Sequence, residues 1–410
     1  MISFITLLIV FFLIAIRQIG EIKLHIWQIM LGGAAVVLFS GQISFPSALH
    51  AINFDVIVFL FGMFIVGRAL EESGYLSHLS YLLFKRAQSL DIVILIILFV
   101  MGITSSFLMN DTVAIIGTPV VLLVAKQNKI ESKILLLALA FAVTIGSVMS
   151  PIGNPQNLII AVNGGVKNSF VVFLKFLFIP TILNLIIAYL LLKLFFRKEF
   201  KKGLKDVSPP IIIDKKLAML SKISLVIIFI LVTLKIVLIS FHLKFDFKLT
   251  DIAVVAALPI VLLDSRRFEI LKRIDWHTLV FFAAMFVLMQ SVWNSGIFQK
   301  GIDNSNFNLK STLMILGISV ILSQLISNVP LVVLYLPLLM RLGIGTRGML
   351  ALSAGSTIAG NLFILGAASN IIIIQTAEKR TGDTLTFIDF AKIGVPLTIV
   401  NLLVYCLFLH

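Results

Sequence analysis

Apolar stretches close to the length of a membrane span follow one another along the whole chain. Residues 92–109, 170–196, 223–241 and 388–409 are clear examples, since a helix needs about 20 predominantly apolar residues to cross the hydrocarbon core. Inside a bilayer the backbone groups of each stretch must be hydrogen-bonded within the segment, which favours helices. The hydropathy pattern therefore predicts an all-α polytopic membrane protein.

Composition supports this prediction and narrows it. The chain is 60% hydrophobic and only 13% charged, so nearly all of it is expected in lipid, with no room for a separate soluble domain. The first residues, MISFITLLIVFFLIAI, lack a basic leader and a small-residue cleavage site, and we interpret them as a retained first span. The single Cys406 and the six histidines, which fall singly at span ends, predict no metal site and no cofactor.

Three segments of the first half recur in the second half in the same order. Residues 52–74 align with 274–296 without a gap, so that Met63-Phe64 meets Met285-Phe286. The segment MNDTVAIIGTP (109–119) aligns with SNVPLVVLYLP (327–337), and TIGSVMSPIGNPQN (144–157) aligns with TIAGNLFILGAASN (357–370). Such repeats are typical of secondary transporters and locate the transport site.

Each half is expected to contain five crossings. Because five is odd, two homologous halves must be inserted in opposite orientations, as inverted repeats. We predict about ten transmembrane helices, two re-entrant hairpins and two broken helices. The predicted boundaries are 1–200 for the first repeat (hairpin 91–125, broken helix 132–163), 201–216 for a linker, and 217–410 for the second repeat (hairpin 311–340, broken helix 347–376).

The net charge of +14 is best explained by the positive-inside rule. The densest basic run, residues 197–216, includes the linker and places it in the cytoplasm, with both termini outside a cell membrane. This run lacks aromatic interleaving, so nucleic-acid binding is not expected. The predicted partners are the lipid bilayer, a small inorganic or organic solute and a second copy of the chain in a homodimer.

Asp111 is the acidic residue with the longest apolar sequence on both sides. A carboxylate at membrane depth is costly unless it is protonated, paired or coordinated, so we predict Asp111 as the proton-coupling group. The alternative is a structural carboxylate that caps the second arm of the hairpin. Val329 occupies the matching position in the second half, so this chemistry is asymmetric.

The remaining predicted binding residues lie at the hairpin tips and the helix breaks. Amides and hydroxyls there can both donate and accept hydrogen bonds, although they could also only satisfy the turn backbone or mark a plain proline kink. In the first half they are Asn110, Thr112, Ser150, Gly153, Asn154 and Asn157; in the second half they are Ser327, Asn328, Thr357, Asn361, Gly366 and Asn370. The second break has no proline and is expected to be gentler than the first.

The order NDT, SPIGNPQNLIIA, SNVP, STIAGNLFILGAASN resembles the superfamily of ion transporters that holds arsenite permeases, citrate and dicarboxylate carriers and sodium/proton antiporters. The likeness is strongest to plant-type silicon efflux transporters and their prokaryotic relatives. It covers the whole chain and implies scaffold helices around paired hairpins and broken helices, with elevator-like or rocking alternating access.

Departures from those families bear on the solute. Arsenite permeases carry a TPIG segment in the second half, and dicarboxylate carriers have Ser-Asn-Thr at both tips. We predict a secondary active transporter, not an enzyme, that exports silicic acid or arsenite in exchange for protons. Alternatives are a sodium-coupled carrier of dicarboxylates, other organic anions or sulfate, a sodium/proton antiporter, and the channel subunit of an ATP-driven arsenite pump.

Overall fold

The computed structural model describes residues 1–16, 18–19, 22–23, 25–52, 54–85, 87–201, 213–241, 247–297, 311–382 and 384–410. The helices of the first half are α1 (Ile2–Ile16), α2 (Ile26–Phe39), α3 (Phe45–Ala51), α4 (Phe54–Glu72), α5 (Tyr75–Phe84), α6 (Leu90–Ile96), α7 (Gly102–Leu108), α8 (Asn110–Asn128), α9 (Ser132–Ser147), α10 (Pro155–Asn163) and α11 (Ser169–Phe195). A π-helical turn at Ile97–Met101 joins α6 to α7, and Glu199–Lys201 forms a 3₁₀ turn. Strands β1 (Gln18–Ile19) and β2 (Ile22–Lys23) form a short antiparallel pair.

The described part of the second half is helical as well. Its helices are α12 (Lys215–Ser240), α13 (Leu249–Leu263), α14 (Arg267–Arg273), α15 (Trp276–Asn294), α16 (Thr312–Ile326), α17 (Asn328–Arg341), α18 (Thr346–Ile358), α19 (Ala368–Thr381) and α20 (Phe387–Leu409). Two 3₁₀ turns, Ala359–Asn361 and Ile364–Gly366, lie between α18 and α19.

The predicted all-helical fold is confirmed, and a helix occupies the position of every predicted span. Helices long and apolar enough to cross a membrane, within the described ranges, are Leu90–Phe107, Ser169–Phe195, Lys215–Lys235, Trp276–Asn294 and Phe387–Leu409. Shorter apolar helices lie at Ile2–Ile14, Ile26–Phe39, Ser132–Ser147, Thr250–Leu263 and Thr312–Leu325.

The helices around the first aligned segment begin and end at equivalent positions in the two halves. Adding 222 to the bounds of α3 and α4 gives the bounds of α14 and α15. The domain boundaries themselves stay a prediction, and most of the predicted linker 201–216 lies outside the described residues, which resume at Ile213.

The helices form two groups that pack mainly within themselves. One group contains α1, α2, α4, α12, α13 and α15. Within this group, a Cβ added at Gly62 of α4 would lie 2.7 Å from the Ala253 carbonyl oxygen of α13. The other group contains both hairpins, both broken helices, α11 and α20, and every residue of α9 from Ile134 to Ser147 is buried there. The groups meet where α8 contacts α4 and where α7 contacts α12.

The hairpin tips lie at the level of the helix breaks. Helix α8 returns from its tip at Asn110 to Asn128, and a short turn leads into α9, which runs back alongside α8 to Ser147. At roughly 1.5 Å per residue, α8 and α9 each extend about 25 Å from this turn. The tip meets the end of α9 at a depth between the two ends of the broken helix, as a re-entrant hairpin requires.

The second break is longer than the first, although it contains no proline. The non-α segment of the second broken helix runs from 359 to 367, longer than the first at 148 to 154. Proline does not set the length of the second break. Gly366 packs directly on the backbone there, since a Cβ added at Gly366 would lie 2.3 Å from the Ala359 carbonyl oxygen. Close glycine packing interrupts the helix without proline.

Candidate functional site

Both hairpins reverse direction at a single residue with positive φ. Met109 (φ 64°) separates α7 from α8, and Ser327 (φ 70°) separates α16 from α17. Non-glycine residues rarely adopt this conformation, so surrounding contacts must hold the reversal. At the first tip the Asn110 backbone N–H donates to the Gly153 carbonyl oxygen at 2.9 Å, which joins the tip to the first break.

The first break is organised by two asparagines. The Asn154 Oδ1 accepts from the Asn157 backbone N–H (2.9 Å) and so caps α10. The Asn157 Nδ2 donates to the carbonyl oxygens of Ser147 (3.1 Å) and Ser150 (3.0 Å), which the interrupted helix leaves unpaired. Gly153 is required because a Cβ there would lie 2.1 Å from the Ser147 carbonyl oxygen. These side chains hold the unwound backbone in one shape.

The two halves exchange hydrogen bonds at this break. The Asn154 Nδ2 donates to the Thr357 hydroxyl of the second half at 3.1 Å, and the Thr357 and Ser353 hydroxyls donate to the Asn157 Oδ1 at 3.2 and 2.7 Å. Gln156 Nε2 also donates to Thr357, at 3.4 Å. Asn154 and Asn157 therefore bond both to the backbone of their own break and to Thr357 of the other half.

The second break has more free polar atoms than the first. Asn370 Nδ2 donates to the Gly360 carbonyl oxygen at 2.6 Å, but its Oδ1 has no hydrogen-bond partner among the described residues. Within the same ranges neither amide atom of Asn361 has a partner, although Asn361 is fully buried. Buried polar atoms are normally paired. The second break therefore offers more unused donors and acceptors to a bound solute.

Asp111 and Asn328 lie at the tips of the first and the second hairpin. Both are buried, and the Asp111 Oδ1 and Asn328 Oδ1 have no hydrogen-bond partner in the described part of the chain. The same holds for the Asn110 Oδ1 and the Thr112 hydroxyl. No ion pair to Asp111 is found among the described residues, and no group of three or more metal-ligating side chains is found there.

Each hairpin contacts the broken helix of the opposite half. The Asn110 Nδ2 donates to the Ser369 hydroxyl at the start of α19 (3.5 Å), and α8 packs along α19, while α17 packs along α10. The structure thus brings the first tip and the second break together. Of the predicted residues, Ser327 is only partly buried and Ser150 accepts from the Ile152 backbone N–H at 3.3 Å.

Sequence reasoning missed five polar residues of this region: Ser147, Gln156, Gln324, Ser353 and Ser369. Gln324 is informative, because its Nε2 donates to the Ala359 carbonyl oxygen at 2.8 Å and so stabilises the second break. The available signal was a polar side chain within an otherwise apolar helix, which membrane helices rarely carry without a partner.

A cavity of about 490 Å³ lies beside the first hairpin. Its walls include Ile115, one turn beyond Asp111 on α8, and the ends of α4 and α19. Charged side chains surround its outer part: Glu71 pairs with Arg68 and with Arg380, and Arg273 pairs with Glu72. Of these pairs, Glu71–Arg380 joins α4 of one helix group to α19 of the other.

Paired hairpins, two helix breaks that contact each other and a buried polar centre define a membrane transporter. The chain belongs to the citrate transporter family, whose sequence model matches residues 9–348, and the resemblance predicted from the motifs is confirmed. It is 28% identical to the silicon efflux transporter LSI3 of Oryza sativa, covering 90% of this chain and 89% of the relative. An uncharacterized transporter of Mycobacterium tuberculosis is also 28% identical, with 97% and 96% covered. Among solved structures, the YdaH transporter of Alcanivorax borkumensis matches 100% of this chain and 96% of its own, with 15% identity and a TM-score of 0.49.

Proposed function

We propose that the protein exports a small neutral hydroxylated metalloid species, silicic acid or arsenite, in exchange for protons, and that Asp111 carries the proton. The observation behind this proposal is the composition of the centre. Asp111 is the only carboxyl group among the buried tip and break residues, and its companions are neutral amides and hydroxyls. A neutral polyhydroxylated solute both donates and accepts hydrogen bonds, as those groups do. The rice relative, named a silicon efflux transporter, supports the same solute class.

Exchange would follow from competition for Asp111. The solute binds best when the carboxylate is ionised and free to accept hydrogen bonds from solute hydroxyls. A proton occupies the same oxygen atoms, so the two ligands exclude each other. Each ligand shifts the equilibrium between outward-facing and inward-facing states only by its differential affinity for them. In this proposal the hairpins and broken helices move against the α1, α2, α4, α12, α13 and α15 group, with the Arg68 side of the molecule in the cytoplasm.

A second candidate is a sodium-coupled carrier of citrate or another organic anion. Two observations favour it: the family is described as a citrate transporter, and the cavity beside α8 is lined by Arg68, Lys126, Arg273, Lys379 and Arg380. Basic side chains at a mouth attract anions. Against it, all three of these arginines already pair with acidic residues, and an ionised Asp111 would repel an anion at the centre.

A binding screen separates the two candidates. Purified protein would be heated with silicic acid, arsenite, citrate, sulfate and sodium in turn, and the melting temperature recorded, because a ligand that binds the folded state raises it. We expect stabilisation by silicic acid or arsenite that is lost in Asn361→Ala. Asp55→Asn, an exposed acid at a different surface, is the matched control. Stabilisation by citrate only with sodium, and none by metalloids, would decide for the second candidate.

A further inference from the structure

A second buried polar cluster lies where α11 and α20, the last helices of the two halves, cross each other. It consists of Thr181 and Asn184 on α11 and Thr398, Asn401 and Tyr405 on α20, and we refer to it as the helix-crossing cluster. All five side chains are at most 2% exposed. None of them belongs to the tips or the breaks, so the transport site does not account for them.

The cluster is built twice from the same sequence pattern. Residues 181–185 read TILNL and residues 398–402 read TIVNL, so each half supplies one threonine and one asparagine three residues later. On a helix this spacing places both side chains on one face. In both helices that face is directed into protein, because all four side chains are buried.

The two helices cross in opposite directions. Arg347 bonds to the His410 carbonyl oxygen at the end of α20 and also lies 5.9 Å from the Phe176 ring near the start of α11. The Thr181 hydroxyl, near the middle of α11, and the Tyr405 hydroxyl, in the last turns of α20, are 2.9 Å apart. An antiparallel pair in contact at Thr181 and Tyr405 brings Asn184 and Asn401 to the same level of the crossing.

Most polar atoms of the cluster have no protein partner. The Thr398 hydroxyl and both side-chain polar atoms of Asn401 and of Asn184 make no hydrogen bond with any described residue. The Asn184 amide is close to the Tyr405 hydroxyl but lacks hydrogen-bond geometry. Buried polar atoms in an apolar interior are costly when they are unpaired, and here they occur together on both sides of one interface.

We propose that the helix-crossing cluster is an internal water site, in which bound water molecules bridge the asparagines of the two halves. The chemistry distinguishes water from a cation. The free atoms include both amide nitrogens, which are donors, and a cation could satisfy only the oxygens while being repelled by the N–H groups. No carboxylate belongs to the cluster to balance a charge. Water satisfies donors and acceptors together and is the usual partner of such buried groups.

The helices of the site also pack against the second break and the first hairpin. On α20, a Cβ at Gly394 would lie 2.2 Å from the Asn361 carbonyl oxygen, so this helix packs directly on the second break. On α11, Leu185 approaches the Cβ position of Gly102, in the first hairpin, to 3.4 Å. Bridging water would therefore link the supports of the two halves with hydrogen bonds that can rearrange.

The test is hydroxyl-radical labelling by brief X-ray exposure of the full-length protein in H₂¹⁸O, read by mass spectrometry. Water bound beside a side chain labels it even when bulk solvent cannot reach it. We expect Tyr405 to be labelled about tenfold faster than Phe173 and Phe390, which are equally buried on the same two helices. Equal labelling of the three would show a dry cluster and overturn the proposal.

Two further measurements keep the test decisive. The Asn184→Leu/Asn401→Leu double variant should lose the fast labelling of Tyr405 while Phe173 and Phe390 stay unchanged. If that variant does not fold, the wild-type comparison alone decides. Repeating the wild-type labelling at increasing sodium concentrations tests whether a sodium ion binds in the cluster instead of water. Labelling of Tyr405 that does not respond to sodium supports water. Labelling that falls as sodium rises would show a cation site and overturn the proposal.

Discussion

The Asn154 Nδ2 of the first half lies 3.1 Å from the Thr357 hydroxyl of the second half. This pair connects the two broken helices where each departs from α-helical geometry. Thr357 also accepts from Gln156 and donates to Asn157, so one hydroxyl serves three side chains of the other half. The arrangement makes the shape of each break depend on the other.

Replacing Thr357 by valine should destabilise the protein. The substitution keeps the shape but leaves the Asn154 and Gln156 donors unpaired in a buried site, which we expect to cost about 1–3 kcal/mol. Thr357→Ser keeps the hydroxyl and is the matched control. Thermal unfolding in detergent should show a lower melting temperature for the valine variant than for the serine variant. Equal melting temperatures would mean that the hydrogen bonds between the halves contribute little.

Gly153→Ala should disrupt the first break. The new Cβ would lie 2.1 Å from the Ser147 carbonyl oxygen, and because this atom is backbone the break itself must shift, at a cost of about 1–3 kcal/mol. Gly32→Ala on α2 is the control, since nothing lies within 4 Å of its Cβ position. Expression and melting temperature of the two variants check the prediction. A Gly153→Ala protein as stable as Gly32→Ala would contradict the described packing.

Asp214, at the start of α12 outside the membrane, should make stability depend on pH. The Leu217 backbone N–H and the nearby Arg266 guanidinium hold the pKa of this carboxyl below its usual value. A lowered folded-state pKa adds stability above the ordinary aspartate value, near pH 4, and this stability is lost as the pH falls through the folded-state value. Asp214→Ala should therefore cost about 1 kcal/mol at pH 7 through the lost helix cap. The difference should shrink at acidic pH, as measured by melting temperature at each pH; a constant difference would contradict this account.

The cavity beside α8 should be reachable by water-soluble reagents from one side. In a Cys406→Ser background, Leu123→Cys at the cavity wall should react with a membrane-impermeant thiol reagent, whereas Val121→Cys, which is fully buried, should not. The proposed orientation predicts reaction in inside-out vesicles and none in right-side-out vesicles. The opposite pattern would place the Arg68 side of the protein outside the cell.

Patterns along the chain were sufficient to predict the long apolar helices, the hairpin tips and the first break. Asn110-Asp111 inside a long apolar run and three breakers within Pro151–Pro155 are local signals that need no partner to be interpreted. The second break was harder, because close packing at Gly366 interrupts that helix without proline. The contributions of Ser353, Gln324 and Ser369 could not be predicted, because their partners lie in other segments or in the opposite half of the chain.

The central claim is that Asp111 couples solute movement to protons, and transport by purified protein in liposomes tests it most directly. A pH gradient would be imposed and metalloid flux followed for wild type, Asp111→Asn and the surface control Asp55→Asn. We predict that Asp111→Asn lowers pH-driven flux to the level of empty liposomes and retains the wild-type melting temperature. The flux of Asp55→Asn should equal that of the wild type. Proton-driven flux that survives in Asp111→Asn would contradict the account.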